Sequence, residues 1–149
     1  MAHTWTDTGH SALINIIPQN GTNISSFYIG LFGSQTSGTV PNRTAFEGAT
    51  PGGWVESVNM ARDVVSAAQW GAPSIAGGGT QSTGRQVAFT ATGAGSANGY
   101  FISNRVSAIA GAIVLGFSNF DDLSTVSYNS GDVIRVTPTW KYNVSAGTP

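Results

Sequence analysis

Acid–base, nucleophilic and metal chemistry need His, Asp, Glu, Cys or an activated Ser at defined spacing. The only histidines are His3 and His10, both near the N-terminus, and there is no cysteine. Disulfides and thiolate metal sites are therefore excluded. Two histidines without a third ligand at useful spacing make a poor zinc site, and solvated arm residues are the expectation. Asp121 and Asp122 are adjacent, beside Asn119. Neighbouring strand residues point to opposite faces, and the alternating acids of a calcium loop are missing, so a turn or capping role is expected. Glu47, Glu56 and Asp63 are the acids available to converge for glycoside hydrolysis, but scattered acids in any domain of this size look the same. Serines abound without a Gly-x-Ser-x-Gly elbow. Gly77, Gly78 and Gly79, like Gly93 and Gly95, are followed by no lysine and no expected helix, so they read as turn glycines and not as a phosphate loop. The Asn-x-Ser/Thr sequons at Asn20, Asn23, Asn42 and Asn143 are what a chain rich in Asn, Ser and Thr produces by chance. No catalytic residue, cofactor site or metal site is expected, and the chain is not expected to be an enzyme.

The remaining chemistry-bearing groups are aromatic: Trp5, Trp54, Trp70 and Trp140, with Tyr28, Tyr100, Tyr128 and Tyr142. They suit a sugar-stacking platform or, more ordinarily, core and interface packing. Most lie in alternating segments, which favours packing. Trp5 does not, and it is expected to act between molecules.

The elements that position these groups read as strands. The most regular stretch is Gly131 to Val144, where Ile134, Val136, Trp140, Tyr142 and Val144 share one face. Arg135, Thr137, Thr139, Lys141 and Asn143 share the other. Such alternation predicts a half-buried antiparallel strand. Pro138 on the apolar face cannot donate to a ladder, so this strand is expected at a sheet edge or bulged there. Edges must be covered, and a neighbouring subunit or chain segment is the expected cover.

Further strands are expected at Phe27–Phe32, with Phe27, Ile29 and Leu31 on one face, and from Trp54 to Val65, with a bulge or turn at Arg62–Asp63. Others are expected at Ser66–Trp70, Arg85–Thr92, Gly99–Asn104, Ala110–Phe117 and Leu123–Tyr128. Gly93–Gly95 and Gly131–Asp132 are turns. Gly33–Gly53 is a long loop holding Phe46, which needs a pocket, and Gly71–Gly84 is a second loop. One short helix is expected over residues 10–17, ended by Pro18 and Asn20–Gly21, with a strand as the alternative.

About eight short strands with turns every ten or so residues define an all-β chain. The expected fold is a two-sheet antiparallel β-sandwich, jelly-roll-like, with at most one short N-terminal helix; an immunoglobulin-like sandwich is second choice. It is expected as a single domain over residues 1–149, with an N-terminal arm 1–9 and a short C-terminal tail 145–149.

Composition limits the partners. Charged residues make up 9% of the chain, against about 25% in an ordinary soluble domain. Lys141 is the only lysine, and the formal net charge is −1. A nucleic-acid partner would want a basic patch, so none is expected. No apolar run approaches the roughly 18 residues of a membrane span, and no signal peptide or membrane partner is expected.

The motifs Tyr28-Ile-Gly-Leu-Phe, Trp54-Val-Glu, Trp70-Gly, Arg85-Gln-Val-Ala-Phe, Gly99-Tyr-Phe-Ile-Ser, Ala112-Ile-Val-Leu-Gly and Gly131-Asp-Val-Ile-Arg-Val follow one another in that order. In pattern and spacing, from about residue 9 to 144, the chain resembles small all-β structural proteins of tailed bacteriophages. That resemblance implies a virion protein, most often a capsid cement or decoration protein on the head surface. It implies the major capsid protein as partner, self-assembly as a homotrimer, and no catalytic residues. The alternative is a tail-fibre or tail-tip domain binding a cell-surface glycan. The residues expected at interfaces are Trp5, Phe46, Arg135, Thr137, Thr139 and Lys141.

Overall fold

The structure, a computed structural model, describes residues 4–5, 26–34, 54–57, 59–76, 79–107, 114–120 and 125–143. They form a mostly β protein with several antiparallel sheets. The strands are β1 (Thr4–Trp5), β2 (Ser26–Ser34), β3 (Trp54–Glu56), β4 (Asp63–Ser66), β5 (Ser74–Ala76), β6 (Gly79–Thr83) and β7 (Val87–Thr90). They continue with β8 (Gly95–Ala97), β9 (Gly99–Ser103), β10 (Val114–Asn119), β11 (Val126–Tyr128), β12 (Val133–Val136) and β13 (Thr139–Asn143). The expected helix at 10–17, most of the Gly33–Gly53 loop with Phe46, and both terminal arms apart from Thr4 and Trp5 lie outside the described residues.

A six-stranded sheet runs β1-β10-β9-β2, with β3 and β4 both paired to β2. The alternation in β2 sends Ile29 and Leu31 to one face and Phe32 to the other, and all three are fully buried. In β9, Tyr100 and Ile102 share the first face and Phe101 the second. Apolar residues at both parities suit these strands to the middle of a sheet, buried on both sides. Gly30 lies opposite Phe101, and a Cβ there would overlap the Phe101 ring. The glycine makes room for the aromatic.

The expected strand from Trp54 to Val65 is corrected to two strands with a strap between them. Glu56 pairs with Phe32 and Asp63 with Ile29, so residues 57–62 stand against only Gly30 and Leu31 of β2. One ladder contact survives, from Ser57 N–H to the Leu31 carbonyl at 2.9 Å. The rest of the strap leaves the sheet, and its Met60 is buried in the core.

The other strands make one long ribbon. β6 pairs with β13, β7 with β12 and β8 with β11, so 79–97 runs antiparallel to 126–143. Thr90 opposes Val133 and Gly95 opposes Tyr128. Both chains advance equally between these pairs, so the register holds although the ladder is interrupted. The Asn129–Asp132 turn lies in the interruption, with Gly131 at a φ of 90°, a conformation glycine adopts without steric cost. The strap docks here: Asn59 accepts the Thr92 N–H at 3.0 Å and donates its side-chain amide to the Ala94 carbonyl at 2.7 Å.

Pro138 divides the expected Gly131–Val144 strand into β12 and β13. Val136 pairs with Val87 and Thr139 with Thr83, so residues 84–86 oppose only 137–138. This is a bulge whose extra residue lies on the partner strand. Pro138 is buried, and its carbonyl accepts the Gly84 N–H at 2.8 Å.

Two further expectations are corrected. Ser66–Trp70 is not a strand: Ala67–Gln69 forms a 3₁₀ turn, with Ser66 N–H donating to Gln69 Oε1 at 3.0 Å. The Gly71–Gly84 loop is a hairpin of β5 and β6, closed by Ala76 opposite Gly79. Small polar residues carry no apolar alternation, so hydrogen bonding holds it: the backbone ladder, and Ser82 Oγ donating to the Gly71 carbonyl at 2.7 Å.

Asn98 is where the chain passes from the ribbon to the six-stranded sheet, between β8 and β9. Its N–H donates to the Phe32 carbonyl at 2.7 Å, its carbonyl accepts the Phe120 N–H at 2.8 Å, and its side chain donates to Thr125 Oγ1 at 2.7 Å. A buried corner residue thus has its polar groups satisfied. The main core draws Ile29, Leu31, Tyr100, Ile102 and Leu115 from the sheet, and Val87, Phe89, Tyr128 and Val136 from the ribbon.

Candidate functional site

Four of the residues expected to meet partners, Arg135, Thr137, Thr139 and Lys141, fall on the outer side of the ribbon. Val136 and Pro138 turn inward and are buried, while Arg135 and Thr137 are exposed and Thr139 and Lys141 are half-buried. Across the ladder Arg135 faces Ala88, Thr139 faces Thr83 and Lys141 faces Gln81. The surface row is therefore small and uncharged apart from two cations, with no carboxylate within it. Trp5 is not on this face: it pairs with Gly116 at the β1 edge of the six-stranded sheet. Phe46 lies outside the described residues. The structure thus brings four of the six expected interface residues together.

The ribbon is tied to the sheet beneath. Thr139 N–H donates to the Tyr100 hydroxyl at 3.3 Å. Burial raises the Tyr100 phenol above its ordinary pKa, against the lowering effect of its hydrogen bonds with Thr139 and Ser118.

Four of the aromatic candidates, Trp70, Trp140, Tyr100 and Tyr128, are packed. Trp70, Trp140 and Phe27 meet edge to face, with ring centroids 5.5 to 6.1 Å apart, against the main core. Tyr100 and Tyr128 are core residues.

The acids are engaged separately. Glu56 is bound by Arg62 at 2.6 and 2.8 Å, and Asp63 by Arg85 at 2.8 Å. Glu56 and Asp63 face different guanidinium partners; Glu47, Asp121, Asp122, His3 and His10 lie outside the described residues. Among the described residues no three of His, Asp and Glu form a metal-binding group.

Sequence reasoning missed Arg62. Its side chain is 4% exposed. Besides holding Glu56 it donates to Ser103 Oγ at 3.2 Å and the Arg105 carbonyl at 2.8 Å, and its guanidinium lies 4.8 Å from the Phe101 ring centroid. It clamps β3, the end of β9 and the bend after it. Beside it a shallow cavity of about 300 Å³ is lined by Glu56, Ser57, Met60, Ala61, Val106 and Ser107. The only local signal was the faltering alternation at Arg62–Asp63.

Comparison with known proteins gives no match: no family model fits the sequence, and no curated protein or solved structure is similar to it.

Proposed function

We propose that this chain is a structural virion protein, a capsid cement or decoration protein of a tailed bacteriophage. In this reading the six-stranded sheet and the ribbon are the two layers of a jelly-roll-like β-sandwich. The major capsid protein is the partner, further copies complete a homotrimer, and the head surface is the location. The observation that supports it most is the outer face of the ribbon. A rigid, two-stranded surface of Thr, Ala and Gln, with Arg135 and Lys141 as its charges, is cheap to desolvate and suited to a flat protein neighbour. Bound across capsomer boundaries, such a subunit adds buried area where a shell is weakest, and the gain is multiplied over the lattice. The glycan-binding alternative calls for an open aromatic groove, whereas Trp70 and Trp140 pack edge to face on the core.

The test is binding of the purified chain to expanded, undecorated shells. The expected result is saturable binding that raises the heat resistance of the shells, weakened at least about tenfold by the double change Arg135→Glu and Lys141→Glu. No binding, together with unaltered heat resistance of particles lacking the protein, overturns the proposal.

A further inference from the structure

Ile75 is 89% exposed, more than any other large apolar residue described. It lies in β5, the terminal strand of its sheet, because β6 has β13 on its other side. The β5–β6 hairpin closes with Ala76 opposite Gly79 across residues 77–78, and the next pair is Ile75 opposite Thr80. In a hairpin with a two-residue loop, the pair beside the loop exchanges both backbone bonds and the next pair exchanges none. The N–H and C=O of Ile75 therefore point away from β6, toward the edge that no other described strand pairs with.

We infer that β5 pairs antiparallel with β5 of a second copy of this chain, about a two-fold axis at Ile75. An outward-facing residue on such an axis donates its N–H to its mate's C=O and accepts the reciprocal bond, so the edge is complementary to itself. The two Ile75 side chains then lie directly opposite one another, an apolar cross-strand pair. Charge favours the same occupant. No Asp, Glu, Lys or Arg occurs from Val64 through Gly84, so symmetric approach sets no like charges together. Exposed edges are commonly guarded by lysine or another charge; here Pro73, which has no N–H, limits the run that can pair. So short a run binds weakly between free copies and effectively between copies held side by side. This contact is separate from the outer ribbon face and needs no shell.

The chain contains no cysteine, so Ile75→Cys introduces a unique thiol at the axis. A short bifunctional maleimide is expected to join this variant into covalent dimers, increasingly with concentration. Val106→Cys, exposed in the bend after β9, is the control and is expected to stay uncoupled. Ile75→Asp sets two carboxylates face to face and is expected to weaken the concentration-dependent step in sedimentation velocity at least roughly tenfold. Equal coupling at positions 75 and 106, or sedimentation of the unaltered chain that does not change with concentration, overturns the inference. Both measurements use the chain alone, so they score the β5 edge independently of shell binding.

Discussion

The guanidinium of Arg62 meets the carboxylate of Glu56 through two hydrogen bonds, 2.6 Å from Nε and 2.8 Å from Nη2, and so ties together the two ends of the strap 57–62. The pair is asymmetric in burial, with side-chain exposures of 4% and 29%. Arg62 would be costly to leave without partners, while Glu56 retains access to water.

Replacing Arg62 with Met removes the two-pronged grip, the bonds to Ser103 and Arg105, and the contact with Phe101 at once. The expected loss is roughly 3 kcal/mol, the lower end for breaking a buried pair, because Glu56 can rehydrate. Arg62→Lys restores the charge without the fork and should recover only part of it. Denaturant titration of both variants checks this, and a loss below that of an ordinary surface substitution refutes the clamp.

Asn98 sits where the chain changes sheets, and its amide to Thr125 is its side-chain anchor. Asn98→Ala leaves Thr125 without that donor and is expected to cost about 1–3 kcal/mol. In a chain of this size the melting temperature should fall about 3 °C for each kcal/mol. Calorimetry reads the change directly.

Tyr100 gives the protein an alkaline limit. Its folded-state pKa lies above the ordinary phenol value, chiefly because of burial. The folded form thus holds the proton more tightly than the unfolded chain does. The stabilising contribution is complete below about pH 10 and is lost as pH rises through the folded-state value. Tyr100→Phe should flatten this alkaline decline while costing roughly 1 kcal/mol at neutral pH, through the lost bond from Thr139. Stability measured from pH 8 to 11 (about the phenol range) separates the two effects.

The strands with strong period-two faces were legible in the sequence. Phe27, Ile29 and Leu31 are turned toward the core as their spacing indicates, and Val87 and Phe89 are buried with them. The faces of the last long stretch were also legible, because the bulge adds its extra residue at 84–86. Ile134, Val136, Pro138 and Trp140 therefore keep their parity through the break. What escaped was fixed by remote partners. Sequence alternation runs on past Glu56, yet the chain after Ser57 leaves β2 because Asn59 finds Thr92 and Ala94 on the ribbon. Arg62 has partners as distant as Ser103 and Arg105, which no local pattern announces. The β5–β6 hairpin has no apolar rhythm, and its only sign was the two glycines at its tip. Among the interface candidates, period two grouped Arg135, Thr137, Thr139 and Lys141 correctly, and it carried no information about Trp5.

The antiparallel pairing of the ribbon also orders the chain topologically. β9 pairs with β10, β8 with β11 outside them, β7 with β12 outside those, and β6 with β13 outermost. From β6 onward these ladders are nested like the helices of a stem, and none crosses another. Once the inner pair is joined, each further ladder closes only a short additional loop, so the conformational entropy of linking Gly79 to Asn143 is lost in small steps and not in one long closure.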